Sequence, residues 1–252
     1  MSNPIAVITG ASRGLGKSMA LHLAAQGVDI IGTFRSKEAE AQAVSREIEG
    51  LGRRAAMLRL DVGQSATFGA FATQVADVLR STFKRQAFDY LVNNAGIGAS
   101  ASVAETTEAQ FDELVRVHLK GPYFLTQKLL PLIADNGRIV NISSGLTRFS
   151  IPGYSAYAAM KGGIEVFTRY LAKELGTRGI AANTLAPGVI ATDFGGGMVR
   201  DNPDINRHLA QTISLGRVGL PDDIGGAVTA LLSEGGRWIN GQRIEASGGQ
   251  NL

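Results

Sequence analysis

Tyr157 and Lys161 stand four residues apart in the stretch Ala156–Arg178, whose apolar positions recur at helical spacing. A helix puts such residues on one face with Cβ atoms about 5–6 Å apart. A free phenol titrates near 10, and bringing it toward 7 takes about three units, or ~4 kcal/mol. One ammonium at about 4 Å, in a site of effective dielectric near 20, supplies about that much. The pair is therefore expected to act as acid and base at neutral pH. The spacing alone is common, and an exposed pair of this kind contributes little. Its context adds weight: Ser143-Ser144 ends the preceding β-branched run, where a hydroxyl would bond a substrate oxygen as charge builds on it.

A second constellation lies at the amino end. An apolar run leads straight into Thr9-Gly10-Ala11-Ser12-Arg13-Gly14-Leu15-Gly16 and then an amphipathic stretch. Glycines let a backbone turn sharply beside a phosphate, and a helix N-terminus offers free N–H groups with partial positive charge. The glycines fall at 10, 14 and 16, which differs from the general G-x-G-x-x-G dinucleotide pattern. Where an acidic residue would bond the adenosine ribose, the second run ends instead in Thr33-Phe34-Arg35-Ser36. Arg35 and Arg13 could grip a 2′-phosphate through bidentate bonds. The expected cofactor is NADP(H) rather than NAD(H).

These residues need a scaffold. Short runs (Ile5–Thr9, Val28–Phe34, Ala55–Leu60, Tyr90–Asn93, Arg138–Ser143, Ala181–Ala186, Gln242–Glu245) read as strands. Between them lie helical patterns: Leu15–Gln26, Lys37–Leu51, Ala66–Arg80, Glu108–Ile133, Ala156–Arg178 and Asp222–Leu232. Such alternation predicts an α/β, Rossmann-type doubly wound domain, with a parallel sheet and helices on both faces. No linker or repeat interrupts it, so residues 1–252 are expected to be one domain. The stretch 189–217, with Gly195-Gly196-Gly197, is long for a connection and is expected to be a substrate lid.

Composition narrows the remaining classes. Twenty-five basic against 22 acidic residues, with no basic run, do not make a nucleic-acid footprint. The absence of cysteine excludes disulfides and thiolate metal sites. Three unclustered histidines (His22, His118, His208) give no reason to expect a metal. No signal sequence and no apolar stretch of about 20 residues are found, so a soluble, cytoplasmic protein without membrane contact is expected.

Taken together the motifs resemble the short-chain dehydrogenase/reductase family. They are Thr9-Gly10 with Gly14 and Gly16, Asp61-Val62, Asn93-Asn94-Ala95-Gly96, Ser144, Tyr157 with Lys161, and Pro187-Gly188-Val189-Ile190-Ala191-Thr192-Asp193. The resemblance implies hydride transfer between a nicotinamide cofactor and a carbonyl or alcohol. It assigns Asp61 and Val62 to the adenine, and Asn93 to Gly96 to stabilising the sheet beside the cofactor. Lys161 would bind the nicotinamide ribose and Thr192 the carboxamide. It favours Ser144 over Ser143, because the family places that serine thirteen residues before the tyrosine. It also implies a seven-stranded sheet in order 3-2-1-4-5-6-7 and a homotetramer.

Two departures stand out. His118 occupies a place where the family usually has asparagine, whose backbone carbonyl holds a water linking the lysine to solvent. A carbonyl survives substitution, so activity is expected to persist; a histidine titrating near 6.5 would add pH dependence, against the plain alternative of a tolerated replacement. Ser247 stands before Gly248-Gly249 where aspartate is common, with only a local hydrogen-bond change expected.

Phe149, Ile151, Tyr154, Phe194 and Met198 are expected to wall a mostly apolar substrate pocket. Gly216-Arg217-Val218-Gly219-Leu220-Pro221 looks like the 3-oxoacyl-(acyl carrier protein) reductase branch. An acidic carrier protein needs a basic landing patch; Arg178 fits, but Asp135-Asn136 does not. Generic ketone or alcohol substrates are therefore placed ahead of the carrier-bound acyl chain. The competing reading from another class is an NADP-binding regulator without turnover, which gives no reason to keep Ser144, Tyr157 and Lys161 together.

Overall fold

β1 (Ile5–Ile8) is apolar at every position and fully buried, as a central parallel strand covered on both faces must be. It opens a computed structural model that describes residues 3–252. α1 (Gly14–Ala25), β2 (Asp29–Phe34), α2 (Glu38–Gly50) and β3 (Ala55–Arg59) follow. Next come α3 (Phe68–Val78), β4 (Phe88–Asn93), α4 (Glu108–Val115), α5 (Gly121–Leu129) and β5 (Ile133–Ile142). The chain continues through α6 (Ser155–Glu174), β6 (Ala181–Pro187), α7 (Met198–Asp201), α8 (Pro203–Ala210), α9 (Pro221–Leu232) and β7 (Arg243–Ala246).

The strands form one seven-stranded sheet in the order β3-β2-β1-β4-β5-β6-β7, every pair parallel. This is the architecture and order expected. Met19 and Leu23 of α1, Val44 and Ile48 of α2, and Ile224 and Val228 of α9 fill the core on one face. Phe68, Phe71 and Val75 of α3, Leu125 and Leu129 of α5, and Leu171 of α6 fill it on the other. Strand order reverses between β1 and β4, the place where open α/β sheets take ligands beyond their carboxyl ends.

Two elements differ from the sequence expectation. The helix expected over Glu108–Ile133 is broken by a wider turn, Arg116–Lys120, and closes in a short turn at Leu130–Leu132. Ile133 already belongs to β5, paired with Phe88. The strand is longer than its apolar run because it absorbs Asp135-Asn136-Gly137, with Asn136 at φ 63° and a register shift between Phe88 and Tyr90. The long stretch after β6 carries α7 and α8, and is pinned where the Gly219 N–H donates to the Val189 carbonyl at 3.0 Å.

Candidate active site

Because every strand runs the same way, all strand ends lie along one edge of the sheet. The candidate residues follow those ends: 10–16 after β1, Arg35 and Ser36 after β2, Asp61 and Val62 after β3, Asn94–Gly96 after β4, Ser144 after β5, and Gly188–Thr192 after β6. Topology alone thus gathers positions scattered over most of the chain.

The turn after β1 is laced to β4. The Thr9 hydroxyl accepts from the Asn94 and Ala95 N–H groups at 2.9 and 3.0 Å, while the Asn94 amide donates to the Thr9 and Gly10 carbonyls at 2.9 and 3.3 Å. Gly10 has φ 69°, and a Cβ on Gly16 would sit 2.0 Å from the Gly10 carbonyl oxygen. At its N-terminus α1 has no side-chain cap and no acidic residue in its first turn. A glycine-tight turn against an uncapped, acid-free helix start suits the pyrophosphate of a dinucleotide. Gly16→Ala is expected to cost about 2–3 kcal/mol by overpacking and to weaken cofactor binding; an unchanged urea midpoint would contradict the close approach.

At the outer rim, Arg35 Nε lies 3.4 Å from Asp61 Oδ2, and Arg13 Nε lies 3.8 Å from Asp193 Oδ2. Both pairs are largely exposed, and such pairs are weak. Each guanidinium is free to turn to a stronger anion. Thr192 Oγ1 accepts the Phe194 N–H at 3.2 Å.

At the centre, α6 buries Tyr157 and Lys161 together. Tyr157 lies beside the Ser144 side chain, whose Oγ accepts the Leu146 N–H at 3.2 Å, and Lys161 Nζ lies 5.5 Å from the centre of the phenol ring. Ser143 turns away instead, its hydroxyl donating to Glu165 Oε1 at 2.7 Å. Phe194 of the long stretch after β6 reaches over the phenol, ring centres 5.7 Å apart.

The expected shift of the phenol toward neutrality is not found. Burial pushes the Tyr157 pKa above its ordinary value, and the neighbouring Ser144 hydroxyl offsets this only in part. Lys161 is itself desolvated, to a pKa of about 8. Its ammonium spends a bond on the Ile142 carbonyl at 2.7 Å. Desolvation of both groups therefore outweighs their attraction. At neutral pH the phenol holds its proton.

Of the two readings of His118, the structure disfavours the titrating one. It sits in the Arg116–Lys120 turn with 1% exposure, its ring packed edge-on against Tyr157 at 5.0 Å. Burial first, then the Lys161 charge, lower its pKa to about 3, so a titration near 6.5 is lost. Nε2 lies 2.8 Å from the Ile97 carbonyl and 3.3 Å from the Ile97 N–H. One nitrogen cannot donate and accept at once; the shorter contact makes it the donor. Nδ1 is left buried without a partner among the described residues. An asparagine amide would serve both Ile97 groups. His118→Asn should leave the shape of the pH–rate profile unchanged between about pH 5 and 9, with ketone reduction falling as Lys161 loses its proton near 8. A break near 6.5 present only in the histidine enzyme would contradict this.

Arg178, the candidate landing residue, is occupied: it pairs with Asp135 at 2.8 Å and donates to the Leu130 carbonyl at 3.1 Å. Ser247 bonds Glu245 at 2.6 Å. Sequence reasoning missed Glu165, whose signal was a carboxylate one helical turn beyond Lys161 on the same helix. It assigned Asn93 to the sheet but missed its partners Asn141 and Thr168, a buried ladder with bonds of 2.7 and 2.8 Å that tie β4 to β5 and α6. Polar residues in apolar strands were its only signal.

An open parallel sheet with a glycine turn at its switch point and a buried tyrosine–lysine pair beside it defines a dinucleotide-binding oxidoreductase. A family profile described as enoyl-(acyl carrier protein) reductase matches residues 10–251. The NADPH-dependent aldehyde reductase-like protein of Arabidopsis thaliana chloroplasts is 34% identical, aligned over 99% of this chain and 94% of its own. The 3-oxoacyl-(acyl carrier protein) reductase of Staphylococcus epidermidis is 32% identical over 99% and 100%. The crystal structure of the angucycline C-6 ketoreductase LanV with bound NADP superposes with a TM-score of 0.93, at 34% identity, over 99% of this chain and 96% of that one. The chain belongs to the short-chain dehydrogenase/reductase family. No described helix is long and apolar enough to cross a membrane.

Proposed function

We propose that this protein reduces a ketone, or oxidises the matching secondary alcohol, with NADP(H), using Ser144, Tyr157 and Lys161. One observation carries the reading: a buried phenol beside the Ser144 hydroxyl, with an ammonium 5.5 Å from its ring centre. NADP(H) is supported by the two rim arginines and by the cofactor named for the plant relative and for LanV. Gly10, Ser12, Gly14, Leu15 and Gly16 would cradle the pyrophosphate. Arg13, Arg35 and Ser36 would take the adenosine phosphate, and Asp61 and Val62 the adenine. Asn94–Gly96, Pro187, Gly188, Ile190 and Thr192 would line the nicotinamide half.

When bound, the cofactor would supply a hydride to the carbonyl carbon. Ser144 hydrogen-bonds the carbonyl oxygen, and Tyr157 Oη–H gives it the proton as negative charge develops there. Lys161 would hold the cofactor ribose and pass a proton back to the phenolate. In alcohol oxidation each transfer runs backwards. The raised pKa keeps the phenol protonated before hydride arrives but makes it a weaker acid, so donation waits on the charge that builds on the substrate oxygen.

Residues 189–217 act as a lid, held at the β6 end while Gly195, Gly196 and Gly197 adopt φ of 64–79° beside Phe194. A homotetramer fits the exposed apolar face made by Tyr123 and Phe124 on α5 with Val166 and Tyr170 on α6, and light scattering would read it. A cytoplasmic location accords with the cysteine-free composition. The carrier-protein reading loses its landing residue, because Arg178 is tied to Asp135. The test is NADPH and NADH consumption across a ketone panel beside acetoacetyl thioesters. Ketone turnover with NADPH is expected; cofactor binding without any turnover would instead favour a regulator.

A further inference from the structure

Behind the candidate serine lies a group of charges the reaction does not use. Glu165 projects from α6 one turn beyond Lys161, its side chain only 14% exposed. Its Oε1 receives the Ser143 hydroxyl at 2.7 Å, the Thr147 hydroxyl at 2.7 Å and Arg243 Nε at 2.9 Å. Arg243 comes from β7, and its other nitrogens reach Glu245 Oε2 at 2.9 Å and the Ser144 carbonyl at 3.3 Å. Arg148 closes the outer side, donating twice to Glu245 at 2.8 and 2.7 Å. Two arginines balance two glutamates, and the Arg148 bonds hold the Glu245 carboxyl near a pKa of about 2. Four chain segments meet here: the end of β5, the loop after it, α6 and β7.

Ser144 stands in the middle of this tether. Ser143 before it and Thr147 after it are bound to one oxygen of α6, and its carbonyl faces Arg243. The Thr147 hydroxyl has one proton but two acceptors in reach, Glu165 and the Ser144 carbonyl at 2.9 Å. Charge favours the carboxylate, which leaves the Ser144 carbonyl to Arg243 and to the Thr147 N–H, each at 3.3 Å. A peptide held on both flanks and at its carbonyl fixes where the Ser144 Cβ stands, and the Leu146 N–H, donating to the Ser144 Oγ at 3.2 Å, holds the hydroxyl itself.

We propose that Glu165 and Arg243 are a positioning pair that locks the Ser144 peptide to α6, so that the serine hydroxyl and the Tyr157 phenol keep one geometry. The inference rests on Ser144 bonding the substrate oxygen, as proposed above. Glu165→Gln keeps the shape but removes the charge, and puts a neutral amide before Arg243 and the two hydroxyls. Turnover of ketone with NADPH should fall about tenfold, while KM for NADPH moves less than about twofold, since the pair touches no cofactor position.

The decisive experiment is the double-mutant cycle of Glu165→Gln with Ser144→Ala, following kcat and thermal melting together. If the pair acts through the serine, Glu165→Gln adds less than about twofold in the Ser144→Ala background. A full tenfold loss in that background overturns the inference and leaves the serine's role standing. Parent-like turnover of Glu165→Gln also overturns it. An unaffected Ser144→Ala enzyme removes both the serine's role and this inference. Should Glu165→Gln fail to fold, Arg243→Gln runs through the same cycle with the same outcomes.

Discussion

Tyr157→Phe is expected to lower NADPH-dependent ketone reduction by about 10²–10⁴-fold, the usual worth of a positioned proton donor. The change removes one oxygen and keeps the ring. Its packing against His118 at 5.0 Å and Phe194 at 5.7 Å therefore survives. Cofactor affinity and melting temperature should consequently stay close to the parent, which separates a chemical loss from a folding loss. The effect should appear in kcat, because the proton is needed only as charge forms on the substrate oxygen. Ser144→Ala should lose less, since it takes away a hydrogen bond rather than the proton itself. A phenylalanine enzyme with high turnover would show that water can deliver the proton, and the burial of this site argues against that.

The second large effect concerns the cofactor. Replacing Arg13 and Arg35 together by alanine should cut kcat/KM for NADPH by about 10²-fold or more, since each charge-assisted bond contributes ~1.5–3 kcal/mol. NADH, which lacks the 2′-phosphate, should change by less than about threefold. The expected ratio has a structural origin: the arginines rest on Asp61 and Asp193 at 3.4 and 3.8 Å, exposed and weakly held. Equal losses with both cofactors, measured as kcat/KM at constant ionic strength, would mean that the arginines serve the fold or the lid and not the phosphate.

Much of the sheet was legible because buried parallel strands leave unbroken apolar runs such as Ile5–Ile8. The gathering of distant motifs followed from that alone, since parallel strands bring all their ends to one edge. Other features were hidden for physical reasons. β5 begins at Ile133 but carries Asp135-Asn136-Gly137, which has the composition of a turn. The Arg116–Lys120 turn inserts a wider coil without disturbing the apolar spacing around it. Burial is a tertiary property, so neither the neutral His118 nor the raised Tyr157 pKa could be read from spacing. Only the four-residue separation of Tyr157 and Lys161 was visible, and it overstated their mutual effect. The Glu165–Arg243 contact spans 78 positions and has no local trace.

The account depends on a phenol that keeps its proton at neutral pH and gives it up as hydride arrives. Single-turnover oxidation of bound NADPH by a ketone, in H₂O and in D₂O, tests this most directly. The parent enzyme should slow by about twofold or more in D₂O, and Tyr157→Phe should lose both speed and that isotope dependence. Hydride transfer that proceeds at the parent rate without the phenol, indifferent to D₂O, would contradict it.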